Sequence, residues 1–315
     1  MLNWKGFLYA VITSATFGLI PLFTLPLLRA GMTIPSILFY RFFVAVLLLG
    51  GLAFFTRRSL RVTLRELYAL AALSVLYIGS AVFLFGSYKY LASGIATTLM
   101  FLYPVFVALI MIYVFKEKNS VWTMLAIGLA IGGVGMLSWN GHEGGVSFTG
   151  LLLAVLSGAS YGAYIIAVNK SCVRDMPADK LTFYVFAFTA AFLLLGAHLG
   201  GGLQAAPDWK SDLNLTLLAL IPTVISNLAL VEAIKRIGST FSSVLGAMEP
   251  LTAMAVGVWV FREPFTRTTA WGTALIIAAV TLVVLAPSLE KGYRTGKFLY
   301  ITKVKGIHPN ITPYH

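Results

Sequence analysis

KYLASGIATTLMFLYPVFVALIMIYVFKE, residues 89–117, returns without a gap as KRIGSTFSSVLGAMEPLTAMAVGVWVFRE, residues 235–263, at an offset of 146. Lys89/Lys235, Ser93/Ser239, Leu99/Leu245, Pro104/Pro250, Val114/Val260, Phe115/Phe261 and Glu117/Glu263 coincide. Working outward, GFLYAVITSATFG (6–18) returns as GLLLAVLSGASYG (150–162) at an offset of 144, and Phe39-Tyr40 returns as Phe183-Tyr184 at that same offset. Three matches in order, at nearly one offset, mark an internal duplication.

The duplicated unit is apolar. Of 315 residues, 59% are hydrophobic and 11% charged, against about 25% charged in a soluble domain; the mean hydropathy is +0.88. That excludes a soluble enzyme and a disordered chain. A single cysteine, Cys172, excludes an internal disulfide and a multi-cysteine metal site. Ten apolar segments, 6–28, 34–55, 67–88, 92–115, 121–138, 149–169, 180–199, 213–232, 240–261 and 270–287, are each long enough to cross a hydrocarbon core. Lipid offers no partner to an open backbone, so the segments are helices, and the alternating strands of a barrel are absent. Pro21 and Pro26 interrupt the first segment, which is expected to be a mature helix and not a cleaved signal. The predicted fold is all-α and integral to a membrane.

Five segments per copy is an odd number. The second copy therefore enters from the opposite side, giving two inverted-topology five-helix repeats, 1–140 and 148–287, followed by a basic tail, 288–315. Lys and Arg divide 17 to 6 between the two sides, with Arg57, Arg58, Arg61, Arg65 and the tail on the richer one. The positive-inside rule predicts both termini in the cytoplasm, in a cell (inner) membrane. The net charge of +12 then points to the lipid bilayer and not to nucleic acid. The tail is expected to be solvated or to lie on the membrane surface. The Asn310-Ile311-Thr312 sequon is expected to stay unused.

Glu249 is the sharpest candidate residue. It falls mid-way along the ninth segment, where a charge costs about 2.5–3.5 kcal/mol. Pro250 beside it removes a helix hydrogen bond and frees a carbonyl, and Pro104 does the same in the other copy. A carboxylate beside a broken turn binds a substrate ammonium or carries a coupling proton, unless it is protonated and bonded to a neighbouring helix. Arg41, in the second segment, either snorkels to the interface or meets a ligand carboxylate; its counterpart is Val185. Ser226 and Asn227 face a substrate or join helices. Glu232 is expected to partner Lys235 or Arg236, and Asn169 to cap a helix or line a gate. Lys116-Glu117 and Arg262-Glu263 are loop charge pairs or gate latches. Gly128-xxx-Gly132 permits close packing, within the chain or as a homodimer. Trp4, Trp122 and Trp271 are interface anchors.

The layout resembles the drug/metabolite transporter superfamily, EamA type. The residues that carry the resemblance are Phe17-Gly18, Phe39-Tyr40-Arg41-Phe42, the small-residue openings of helices 4 and 9, Tyr103-Pro104-Val105-Phe106, Glu249-Pro250-Leu251, and the Lys116-Glu117 and Arg262-Glu263 ends. It covers roughly residues 6–287. It implies a carrier that exports or exchanges amino acids, metabolites or drugs, with helices 1, 3, 4, 6, 8 and 9 around a central cavity and helices 5 and 10 outside. Phe17, Tyr77, Tyr103, Tyr161 and Tyr164 lie on those helices, and aromatic faces attract ammonium groups. The family often carries Glu before both prolines; here helix 4 has Tyr103, which departs from a symmetric carboxylate pair.

The rival classes are weaker. An intramembrane enzyme needs a nucleophile with a base, or a metal cluster. His142, His198, His308 and His315 are scattered, with no HExxH and no nucleotide-binding glycine loop. A channel would need a filter-like loop. No cofactor, metal or catalytic residue is expected. The expected partner is a small-molecule substrate, carried by alternating access, with proton antiport through Glu249 or exchange as the candidate couplings.

Overall fold

The computed structural model describes residues 4–57, 59–116, 120–138, 147–199 and 202–305. Arg58, Glu117, Lys118, His142, His308, Asn310 and His315 lie outside the described residues. Ten helices are long and apolar enough to span a membrane: α1 Trp4–Arg29, α2 Ile34–Phe55, α3 Leu64–Ser87, α4 Ser93–Tyr113, α5 Val121–Ser138, α6 Phe148–Lys170, α7 Ala178–Leu199, α8 Trp209–Gly238, α9 Phe241–Trp259 and α10 Arg267–Glu290. The helix that begins as α10 continues to Lys305, into the segment expected as a basic tail.

Four spans are not regular. α1 breaks at Gly18-Leu19, and its second part opens with Pro21 in the first turn, where a missing N–H costs nothing. α4 breaks before Tyr103-Pro104, and α9 breaks before Met248-Glu249-Pro250. Both prolines thus start a second half-helix in mid-span. α8 carries a π-helical turn over Leu220–Ile225, around Pro222.

The packing repeats the duplication. α1 packs on α8, and its counterpart α6 packs on α3. α2 meets α7, α4 meets α9 and α5 meets α10, so each of these pairs joins a helix to its own counterpart. This is the pattern a pseudo-twofold axis between inverted halves produces. The hydrogen bonds agree in detail. The Thr13 hydroxyl donates to the Ser226 carbonyl at 2.8 Å, and the Ser226 hydroxyl donates back to the Thr13 carbonyl at 2.8 Å. At the counterpart contact, α3 against α6, the Ser157 hydroxyl donates to the Ser80 carbonyl at 2.8 Å. Ser157 lies 144 after Thr13, and Ser226 lies 146 after Ser80. Apolar helices in lipid gain little from burial, so such cross-helix bonds fix which faces meet.

The close packing expected from Gly128 and Gly132 is made one position later. A Cβ at Gly133 would lie 3.0 Å from the Gly272 carbonyl oxygen of α10, whereas Gly128 has open space around it.

Candidate functional site

A cavity of about 320 Å³ lies between the halves. Its walls come from α1, α2, α3, α4, α6, α8 and α9, with no residue from α5, α7 or α10. Helix α2 is the addition to the set the resemblance implies. It brings Arg41 and Phe42 to the wall.

The cavity is built on the breaks. Glu249 lies in the first turn of the half-helix Met248–Trp259, so helix N–H groups point toward its side of the break. It lines the cavity, and its carboxylate has no hydrogen bond or ion pair with a described residue. The turn is held by α1 at very short range. A Cβ at Gly18 would stand 2.5 Å from the Glu249 carbonyl oxygen, so only glycine allows that approach. The counterpart approach is present: a Cβ at Gly162 would stand 3.0 Å from the Tyr103 carbonyl oxygen. One scaffold contact therefore positions Glu249 in one half and Tyr103 in the other.

Arg41 is held by a local defect in α8. Pro222 lacks an N–H, so the Leu218 carbonyl four residues earlier loses its helical donor. The Thr223 hydroxyl takes that place, donating to Leu218 O at 2.8 Å. Its lone pair then accepts Arg41 Nε–H at 2.9 Å. Arg41 is 5% exposed, with its guanidinium 5.2 Å from the Phe42 ring centroid and 5.7 Å from that of Phe85. Four of its five N–H donors remain without a protein partner among the described residues, and the residue lines the cavity. No ion pair joins Arg41 to Glu249. The cavity thus presents a guanidinium and a carboxyl group with no ion pair between them.

Phenols line the same cavity. Tyr103 meets Tyr161 edge-on at 5.0 Å, Tyr77 lies 6.3 Å from Tyr161, and all three line the cavity together with Phe17. Tyr164 stands behind them, 5.3 Å from Tyr77 and 5.8 Å from Tyr161, and is not on the lining. Ser226 and Asn227 are not on the lining either. Ser226 serves the α1–α8 contact, and the Asn227 amide donates to the Thr223 carbonyl at 2.6 Å. Pro104 and Pro250 adjoin the cavity residues Tyr103 and Glu249. Sequence reasoning passed over Thr223; the signal for it is a Thr directly after a mid-span Pro, able to satisfy the orphaned carbonyl.

The remaining candidates fall outside the cavity. Glu232 pairs with Lys235 at 3.1 Å and Arg236 at 3.2 Å. The Asn169 amide donates to Ile165 O. Glu263 is not paired with Arg262. Its carboxylate accepts from Ser93 N at 2.9 Å and Ser93 Oγ at 3.1 Å, tying the end of α9 to the start of α4. Lys116 and Arg262, counterparts in the repeat, both take left-handed backbone, φ 57° and 58°. The same turn thus aims Glu263 and precedes Glu117, which lies outside the described residues. One G-x-S-x-G spacing exists, Gly158-Ala159-Ser160-Tyr161-Gly162, but it lies inside α6 and not on a strand-to-helix turn. Among the described residues no group of three His, Cys, Asp or Glu could hold a metal.

Known proteins share this plan. A cyanobacterial protein from Synechocystis, described as an uncharacterized transporter, is 26% identical over 64% of this chain and 62% of its own. The Escherichia coli YedA protein, described as an uncharacterized inner membrane transporter, is 26% identical over 88% of this chain and 84% of its own. A solved crystal structure aligns over 91% of this chain and 98% of its own with a TM-score of 0.63; at 19% identity that is a likeness of fold. The EamA-like transporter family matches twice, at residues 4–139 and 148–285, once on each half of the bundle. Ten spans, two inverted halves and a cavity between them carry that match through the tertiary structure: the chain is a membrane-embedded, multi-pass transporter of the EamA-like transporter family.

Proposed function

We propose that the protein exports small zwitterionic metabolites, amino acids or related amines, by alternating access. The observation that supports this is a guanidinium and a carboxyl group on one cavity, not paired with each other. The carboxylate of Glu249 complements an ammonium, and the free N–H donors of Arg41 complement a carboxylate in a forked geometry. A buried charge without a partner is costly, so a ligand that brings both counter-charges recovers part of that cost on binding. The tyrosines add faces on which an ammonium or a side chain packs. Rocking of the two halves about the cavity supplies access to either side. Glu249 also serves as the proton site if transport is coupled to proton antiport, and both termini face the cytoplasm.

The test uses three relatives of one amino acid with the purified protein. A ligand that binds the folded state raises its thermal stability. The free amino acid is expected to stabilise the protein. Its N-acetyl form, lacking the ammonium, and its amide, lacking the carboxylate, are expected to do so far less. Equal stabilisation by all three removes the two-charge reading. Stabilisation by flat hydrophobic amines alone favours a multidrug exporter instead, a reading that the wall of Tyr77, Tyr103 and Tyr161 supports.

A further inference from the structure

A second cavity lies away from the transport site, at the lipid boundary between α2 and α7. It encloses about 510 Å³. Its inner wall is apolar, formed by Leu49, Leu52, Ala53, Phe183 and Leu228. Its mouth is polar, with Thr56, Ser59, Asp179 and Lys180. The exposed rings of Phe54 and Phe55 flank it on α2, at 79% and 83% exposure, as expected for residues that face acyl chains.

The rim is a fixed structure. The loop from α2 to α3 is held to the neighbouring half by three side chains. The Lys180 ammonium donates to the Arg61 carbonyl, the Tyr184 hydroxyl donates to the Leu60 carbonyl, and the Cys172 thiol reaches the Arg65 carbonyl at 3.8 Å. Arg57 turns the loop with a left-handed backbone, φ 51°, a conformation that a non-glycine residue keeps only when its surroundings impose it. The loop and the adjoining helix ends carry Arg57, Arg61, Arg65 and Lys180, against Glu66 and Asp179. Glu66 closes the capping box of α3 with Thr63, and Asp179 lies in the first turn of α7, where a helix N-terminus favours a carboxylate. Lys180 has three N–H donors and uses one on Arg61 O.

An apolar slot with Lys180 at its polar mouth, and Arg57 and Arg61 on the loop that adjoins it, matches one class of ligand. We infer that this crevice is a binding site for an anionic phospholipid, with the phosphate at Lys180 beside Arg57 and Arg61 and an acyl chain along Leu49, Leu52 and Phe183. Positive charge and apolar wall are both required: the first selects an anionic headgroup over a zwitterionic one, and the second selects a lipid over free phosphate. Because the site joins α2 to α7, which belong to opposite halves, a lipid there binds the folded bundle and stabilises it by mass action.

The experiment measures thermal unfolding of the purified full chain with phosphatidylglycerol, phosphatidylcholine or inorganic phosphate added, and counts retained lipid by native mass spectrometry. Phosphatidylglycerol is expected to raise the unfolding temperature by at least twice the shift given by phosphatidylcholine, with one lipid retained and no shift from phosphate. Lys180→Gln keeps a donor for Arg61 O but removes the charge. Ala53→Trp fills the slot and leaves the charge. Each is expected to halve the phosphatidylglycerol shift or more, relative to its own lipid-free value, while Lys210→Gln keeps it. Equal shifts from the two lipids overturn the proposal. So does the full shift surviving in both crevice variants, or an equal shift from phosphate alone.

Discussion

The two halves share a scaffold and differ in what they place on it. At the first helix of each repeat, a glycine lies against a mid-span backbone turn: Gly18 against Glu249, Gly162 against Tyr103. One helix further, Arg41 stands where the other half has Val185. Thr223, which accepts from Arg41, stands 146 residues after Tyr77. The first half therefore contributes the guanidinium, and the second contributes its hydroxyl acceptor and the turn that carries a carboxyl group, where the counterpart positions carry valine and phenols. Duplication gives two like halves around the cavity, and substitution at a few positions makes the site asymmetric, with a guanidinium and a carboxyl group where the counterparts are valine and phenol.

The comparison is broken most sharply at Glu249 and its counterpart. Glu249→Gln is expected to abolish pH-driven uptake into inverted vesicles and to weaken substrate binding by about 2–3 kcal/mol, while Tyr103→Phe changes binding severalfold at most. Binding isotherms for both variants, with uptake at two pH values, check this; equal effects would mean that the two positions are not distinct. Next comes Arg41. Arg41→Gln is expected to weaken a substrate carboxylate by about tenfold, roughly 1.4 kcal/mol, and to leave the affinity for the amide derivative unchanged. Loss of both together would assign Arg41 to structure and not to recognition.

Smaller effects sharpen the scaffold side. Gly18→Ala and Gly162→Ala both overpack a backbone turn, and each is expected to cost about 1–3 kcal/mol of stability. Gly18→Ala should be the worse, since its Cβ meets both the Glu249 oxygen and the Thr252 Cβ at 2.5 Å. Thermal unfolding ranks them. Thr13→Val and Ser157→Ala each remove a cross-helix bond worth about 0.6 kcal/mol, and near-equal losses are expected because the bond from Thr13 to the Ser226 carbonyl and that from Ser157 to the Ser80 carbonyl are counterparts.

The least effect lies at the helix starts. α3 is capped by Thr63 with Glu66, and α8 by Asp208, whose carboxylate accepts from Ser211 N at 2.7 Å. That backbone bond holds the Asp208 carboxyl below its ordinary range. The lowered native value means that its contribution is full above the unfolded value, about 4, and fades as pH falls through the native one. Unfolding measured between neutral and acid pH should show this small loss in the wild type and not in Asp208→Asn.

Much of the fold was legible because lipid removes choices. Every span had to be a helix, and a repeat of odd helix number had to invert, so the ten segments and the two halves follow from hydropathy and self-similarity. Glu249 was visible because a mid-span charge is costly, and Pro104 and Pro250 because proline removes a donor. The rest depended on contacts between distant segments. Ser226 has the chemistry of a binding residue, and only packing shows that it bonds Thr13 across the α1–α8 contact. Tyr164 has the same composition as Tyr161 and falls one layer behind it. Thr223 became part of the site only through the π turn that Pro222 imposes. The sequence by itself determined the helices, their number and their inversion, since these answer to the bilayer and to period alone. Tertiary structure decided which side chains face the cavity, because that depends on the rotation of each helix about its axis, set by glycine approaches and hydroxyl bonds to helices far away in the chain.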